Sequence, residues 1–521
     1  MRLRRLLTLS LLLLPVLLLP EAALAHVGSP DVYYDGYAGP YHLLVTVRPP
    51  VVIPGVAEIE VRVASNNVNE VQILPLRLVG PAANLAPKPD FAVRSTADPQ
   101  LFEGKLWIMD RGSWRVEIKA DGQQGKADLG VPVPAVSMTS ARMQRALGGL
   151  LSVLGLLLVA GMIGIVGAAN RDAKLDPDVL PTPVQTRRGY MGMGIAAVLI
   201  VAMLVGAYFW WGSEASANSK LVYVLPHLQP TLQNGDTLHL HLENPNEEAG
   251  FIRFGRQQQV ERQDRLRLDD LVPDHGHLMH LFLVRKSDMA SFWHLHPGQL
   301  STAEFSQSLP DVPAGHYLVF ADIVHQTGFP ETEIGEIDMP AIAGKPLGEG
   351  NSDDSGSPAL VPSEKVSALS GGYRMVWERD ATPLKPRQPF WFRFRIEDQS
   401  GKPATDLESY MGMAGHAVFL RDDGQIFAHV HPAGSVSMTA AELAQRTIGG
   451  SSGADNGSMM ASSSMDSMSA SPSMASMHHE PPSSEVSFPY GFPQPGDYHI
   501  YVQIKRAGHV ETGAFVAHVA N

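Results

Sequence analysis

The chain has 521 residues, of which 44% are hydrophobic and 18% charged, with a formal net charge of -13 and no cysteine. That length exceeds what one hydrophobic core serves, so several domains are expected. Absence of cysteine excludes disulfides, thiolate nucleophiles and zinc–thiolate sites, and an acidic balance without a basic footprint excludes a nucleic-acid partner.

Residues 1–25 read as a secretory signal peptide: Arg2, Arg4 and Arg5, an apolar run from Leu6 to Leu19, then Ala23-Leu24-Ala25. The run is short for a membrane span, and a small-residue cleavage site follows it. Cleavage there makes His26 the mature N-terminus, where an α-amine and an imidazole together form a nitrogen chelate suited to Cu(II).

Residues 26–140 read as β structure, with Tyr41 to Val47 and Ala57 to Val63 as strands separated by Pro49-Pro50 and Pro54-Gly55. Arg111-Gly112-Ser113-Trp114-Arg115-Val116 followed by Gly125-Lys126-Ala127 has the Gly-x-aromatic corner with which a β-sandwich often ends. With Ala38-Gly39-Pro40-Tyr41-His42-Leu43-Leu44-Val45, these residues resemble the YtkA-like (FixH-like) family of bacterial extracytoplasmic domains. The resemblance implies a fold and no activity.

Residues 146–169 and 190–211 are each long and apolar enough to cross a bilayer. The first is rich in glycine, which permits close helix packing. The second ends in Tyr208-Phe209-Trp210-Trp211, an interfacial aromatic belt. Residues 170–189 between them carry Arg171, Lys174, Arg187 and Arg188, so the positive-inside rule puts this loop in the cytoplasm. Both large soluble regions then lie on the extracytoplasmic side of a bacterial cytoplasmic (inner) membrane.

Residues 220–343 and 369–521 form an internal repeat joined by a flexible linker, 344–368. Each copy places a strand that runs from a histidine through apolar residues to an arginine before Phe-x-His-x-His-Pro. Copy one has His280 in Met279-His280-Leu281-Phe282-Leu283-Val284-Arg285, then Phe292-Trp293-His294-Leu295-His296-Pro297. Copy two has His416 in Gly415-His416-Ala417-Val418-Phe419-Leu420-Arg421, then Phe427-Ala428-His429-Val430-His431-Pro432. Gly315-His316-Tyr317 and Gly496-Asp497-Tyr498 repeat the aromatic corner. The copies resemble extracytoplasmic His-x-His-Pro domains of bacterial metal-handling membrane proteins. The fold class is therefore mostly β: three immunoglobulin-like β-sandwich domains plus a two-helix transmembrane hairpin.

In a strand, residues two apart share a face, so His294 pairs with His296 and His429 with His431. Asp423-Gly424 is a two-residue hairpin turn that puts His416 opposite His431 and diagonal to His429. A turn one residue longer, over Ser287-Asp288-Met289, restores the match of His280 with His296. Three imidazoles per hairpin can converge on one ion at about 2 Å each. His275, His277, His316 and His325 surround the first copy, whereas Met411 and Met413 approach His416 in the second. His239 and His241 read as a solvated face.

The second copy also carries an insert, 448–485, with Met459, Met460, Met465, Met468, Met474, Met477, His478 and His479 among serines. It cannot pack a core and reads as disordered. Clustered thioethers suit Cu(I). These features point to a membrane-embedded copper-binding protein, using Cu(I) and/or Cu(II), for homeostasis, delivery or sensing. The other reading is an envelope interaction scaffold that binds a partner protein, with structural histidines. Cupin-type catalysis is excluded: the Glu expected after the second His is replaced by Leu300 and Ser301, and no enzyme activity is expected.

Overall fold

The structure is a computed structural model describing residues 31–64, 67–141, 143–173, 175–176, 179–245, 267–348, 351–449 and 483–520. The segment expected as a signal peptide, His26, the six methionines of the insert, His478 and His479 lie outside the described residues.

The chain is mostly β. The first region comprises β1 (Val32–Ala38), β2 (Tyr41–Arg48), β3 (Gly55–Val63), β4 (Val68–Arg77), β5 (Asp90–Arg94), β6 (Leu101–Ile108), β7 (Gly112–Gly122) and β8 (Gly125–Ala135). Their neighbour order is β1-β2-β3-β6-β5-β4-β7-β8. Alternation in β3 and β6 sends Ile59, Val61, Phe102 and Leu106 into the core, where they meet Leu43, Val45, Val116 and Ile118.

Two helices follow, α1 (Arg145–Asp172) and α2 (Pro183–Ser219), both long and apolar enough to cross a membrane. They run beyond the spans expected at 146–169 and 190–211, so the connection shortens to the residues between Asp172 and Pro183, and Arg171, Arg187 and Arg188 of the expected loop fall at the helix ends. Thr182 starts α2 with a capping box: its hydroxyl accepts from the Gln185 amide, and the Gln185 side chain accepts from the Thr182 amide. Of the glycines in α1, Gly167 is the one where the helices meet, against Met193 and Gly189.

The second region contains β9 (His227–Gln233), β10 (Thr237–Glu243), β11 (His280–Arg285), β12 (Phe292–Leu295), β13 (Gly298–Ser301), β14 (Glu304–Ser308), β15 (Gly315–Val324), β16 (Pro330–Met339) and β17 (Ser355–Ser357). The third contains β18 (Val366–Ala368), β19 (Arg374–Glu378), β20 (Phe390–Glu397), β21 (Leu407–Glu408), β22 (His416–Arg421), β23 (Phe427–Val430), α3 (Met438–Gly449), β24 (Glu485–Tyr490), β25 (Gly496–Arg506) and β26 (His509–Val519). The repeat is visible in topology: β16-β15-β11-β12 in the second region has the order of β26-β25-β22-β23 in the third. All three regions share one local device. Trp114 Nε1 donates to the Asp110 carbonyl, Tyr317 Oη to Pro313 and Tyr498 Oη to Gln494, each four residues back.

The segment expected as a flexible linker is built into the fold where it is described. Ser355–Ser357 pairs with β12 and Val366–Ala368 with β19. Its polar residues find buried partners at the site, which a solvated linker would not offer.

The repeats pack sheet against sheet. Alternation sends Leu281 and Leu283 into the second region's own core, and Ala417 and Phe419 into that of the third. Phe282, Val284, Val418 and Leu420 point the other way, into a shared core with Phe292, Leu318, Phe320, Phe427 and Tyr501. Phe292 stacks on Tyr501 and Phe427 on Phe320, both at 4.3 Å. Equivalent residues thus meet across an approximate two-fold relation. The first region closes the third side: Asp35 and Ser435 hydrogen-bond through backbone to Ala433 and Tyr33, and α3 lies on β8, with Gln445 donating to the Gly130 carbonyl.

Candidate metal centre

Both hairpins have the register that their turns dictate. Leu281 pairs with Leu295 and Phe282 with His294; Ala417 pairs with Val430 and Val418 with His429. His280 and His416 sit at the start of β11 and β22, on the face that points away from each region's own core. Because the two hairpins face one another, their imidazoles form one cluster rather than two separate sites.

The cluster contains His275, His277, His280, His294, His296, His416, His429 and His431. His280, His294 and His296 form one set whose ligand nitrogens lie within 4.8 Å of one another; His275, His416 and His431 form a second. The first matches the trio expected of copy one. In the second, His275 of the first repeat joins the histidines of the other. His429 lies beside it, with ring centroids 5.4 Å from His416 and 4.6 Å from His431. His275 reaches across from a tight turn, Asp274-His275-Gly276-His277, with φ of 52° and 86° at its central residues. Met411-Gly412 makes the equivalent turn in the other repeat, with φ of 49° and 81°. A glycine at the second central position accommodates this left-handed backbone.

Neighbouring acceptors fix how each ring presents itself. A backbone carbonyl can only accept, so the ring nitrogen facing it carries the proton. This holds for His275 Nδ1 on Met411 O, His431 Nδ1 on Val436 O and His280 Nε2 on Asp274 O, at 3.0, 3.0 and 3.1 Å. His294 Nδ1 meets Gln503 Oε1 at 2.9 Å and His296 Nδ1 meets Asp354 Oδ1 at 3.0 Å. His429 Nδ1 lies 3.2 Å from Asp322 Oδ2. The clamps cross between repeats: Gln503 of the third region holds His294 of the second, and Asp322 of the second faces His429 of the third. Asp322 and Gln503 occupy equivalent positions, opposite His280 and His416 respectively.

With their N–H groups turned outward, these rings aim lone pairs at one another. His275 Nε2, His296 Nε2, His429 Nε2, His431 Nε2 and both nitrogens of His416 are buried without a hydrogen-bond partner. His280 Nδ1 and His294 Nε2 stand 3.0 Å apart, although each ring has already given its proton elsewhere. That contact is repulsive unless a cation lies between them. Burial pushes His280 and His431 down to about 4, and burial with neighbouring imidazoles holds His294, His296, His416 and His429 well below the usual histidine range. At neutral pH the rings are therefore unprotonated, the form that binds metals. Outward N–H groups on carbonyls and carboxylates are the outer contacts that metal-ligating histidines ordinarily make.

His277 is the most exposed member, stacked on His296 at 3.9 Å with Nε2 3.3 Å from Asp353 Oδ2. A cavity of about 230 Å³ where the three β regions meet has His277, His280, His429 and His431 among its lining, opposite Val32, Pro50 and Pro132 of the first region. Burial raises Asp322 to about 7 and Asp354 to about 6, against opposing hydrogen bonds from Thr332 and Gln307.

The other histidines lie elsewhere. His316 sits between Glu336 and Asp338. His325 is buried between Asp270 and Glu331. His239 and His241 share Glu304 at the sheet surface. His275 and His277 are neighbours of the first hairpin in sequence; in the fold His275 instead completes the second set. Met411 contributes its carbonyl oxygen.

A model of a domain of unknown function, DUF8832, matches residues 367–521. No curated protein matches the chain. Among solved structures, native Escherichia coli alpha-2-macroglobulin is 10% identical over 94% of this chain and 25% of its own, with a TM-score of 0.14. Dimeric latent PorU from Porphyromonas gingivalis is 9% identical over 91% of this chain and 32% of its own, with a TM-score of 0.13. The chain thus spans about a third or less of these proteins' length.

Proposed function

We propose that the protein is a membrane-anchored, extracytoplasmic metal-binding protein whose ion is held by the imidazole cluster between its two repeats. The observation that carries this is the inward array of lone pairs. Histidines kept for structure alone would leave six buried ring nitrogens unpaired, at roughly 1–3 kcal/mol each. An interaction scaffold has no use for that cost, whereas a bound cation relieves it at each lone-pair nitrogen that it binds.

Copper is the proposed ion. Neutral imidazoles suit Cu(II) and zinc alike, and the sequence between Met459 and His479 adds clustered thioethers suited to Cu(I). Two apolar helices whose adjoining ends carry Arg171, Arg187 and Arg188 support anchoring in the inner membrane with all three β regions outside. The role is capture and holding of the ion for homeostasis, delivery or sensing; no catalysis is proposed.

The test is titration of the full chain in detergent with Cu(II), anaerobic Cu(I) and Zn(II) against competing chelators. Micromolar or tighter copper binding that weakens when His294 and His416 are both replaced by Gln supports the reading. Copper affinity unchanged in that double variant would refute it, and preferential Zn(II) binding at the same histidines would replace copper with zinc.

A further inference from the structure

We infer that the cluster takes two ions: one on His280, His294 and His296, the other on His275, His416 and His431, with His429 between them. This rests on the metal-binding reading above and adds a count, a ligand assignment and a shared residue.

Ring spacing divides the cluster. Within the first set the centroids are 5.3, 5.0 and 4.7 Å apart. Within the second they are 5.2, 4.9 and 5.2 Å apart. The sets meet through His275–His280 and His294–His416, both at 6.0 Å. A first-row ion draws its imidazole nitrogens to about 2 Å and usually holds four ligands, so one ion placed in either set leaves the lone pairs of the other unanswered. In the second set those are His275 Nε2, His431 Nε2 and the one His416 nitrogen that does not carry the ring proton, none of them partnered. In the first they are His296 Nε2 and the facing pair His280 Nδ1 and His294 Nε2.

His429 belongs to neither set alone. Its centroid is 5.6 Å from both His280 and His294, 5.4 Å from His416 and 4.6 Å from His431, and its Nε2 is unpartnered. It is placed to complete the second ion's coordination while bordering the first. The two positions are chemically unequal. The first is backed by the Gln503 amide and the Asp354 carboxylate, the second by the carbonyls of Met411 and Val436. Because His275 crosses between repeats, the second position exists only when both repeats are present.

The test loads the full chain in detergent with Cu(II), desalts it, and counts copper per chain in wild type, His294→Gln, His416→Gln and the double variant. Counting differences between variants removes copper held elsewhere on the chain. The expected result is one ion lost in each single variant and two in the double variant. Adjacent Cu(II) ions couple magnetically, so the paramagnetic resonance intensity lost between wild type and double variant falls short of the copper lost, whereas each single variant recovers full intensity for its remaining ion. The wild-type measurement stands even if a variant misfolds, since circular dichroism reports that separately. One ion lost in every variant, with full intensity in wild type, overturns the pair and leaves the metal reading intact. Equal copper in wild type and double variant overturns both.

Discussion

Replacing His416 with Leu separates stability from binding with opposite signs. The His416 side chain is 1% exposed, and neither ring nitrogen has a hydrogen-bond partner. Leucine is of similar volume and removes both polar atoms. Since leaving a buried polar group unsatisfied costs about 1–3 kcal/mol, the metal-free variant gains about 2 kcal/mol, which raises Tm by a few degrees. Metal reverses the order. Wild type at a thousandfold excess over Kd gains about 4 kcal/mol from binding, and the variant loses the share that His416 supplies. The assay is differential scanning fluorimetry of both proteins in chelator and in Cu(II). A lower apo Tm for His416→Leu, or an equal copper-induced rise in both proteins, would refute the reasoning.

Four further outcomes follow from the same geometry. Asp322→Ala leaves the shared core intact and lowers metal affinity roughly 10- to 100-fold, because His429 loses the carboxylate that orients it; equal affinity by competitive titration would contradict this. Phe282→Ala empties a fully buried position between Phe427 and His294 and costs about 3–5 kcal/mol in urea unfolding. His325 sits where burial alone would lower it, but the hydrogen bonds its ring donates to Asp270 and Glu331 raise it to about 9. That stability is fully present below pH 6.5 and is lost as pH rises through 9, about 3 kcal/mol in all; Glu333, raised to about 9 by burial, acts in the same direction from pH 4.5 upward. Urea midpoints that stay level from pH 6 to 10 would refute both assignments. A single cysteine at Asp176, in a chain with no other cysteine, should react with impermeant maleimide only from the cytoplasmic side.

How far the site could be read from sequence differs from one feature to the next. The register of both hairpins was legible because Asp423-Gly424 and the longer turn ending at Met289 leave few pairings for the flanking strands. The corner at Trp114, Tyr317 and Tyr498 was legible for the same reason: it is local. The joining of the two hairpins was not, because a repeat says that two units are alike and nothing about how they pack. One signal did exist. His280-Leu281-Phe282-Leu283-Val284 is apolar on both faces, and a strand buried on both faces requires a second layer over it. The other repeat is that layer, so His280 faces His429 rather than solvent. The role of Asp354 was hidden by composition, since Asn351-Ser352-Asp353-Asp354-Ser355 has the polar character of a linker and reveals its use only beside His296 and Gln307.

X-ray absorption at the copper edge of the loaded full chain tests the central claim most directly, because it reads the atoms bound to the ion. A nitrogen shell at about 2.0 Å, with the multiple scattering of several imidazoles, is the predicted result. It should lose imidazole scattering in His294→Gln and His416→Gln. A shell dominated by sulfur in the protein loaded with Cu(II) would place the ion on the methionines of the insert and contradict the buried imidazole centre.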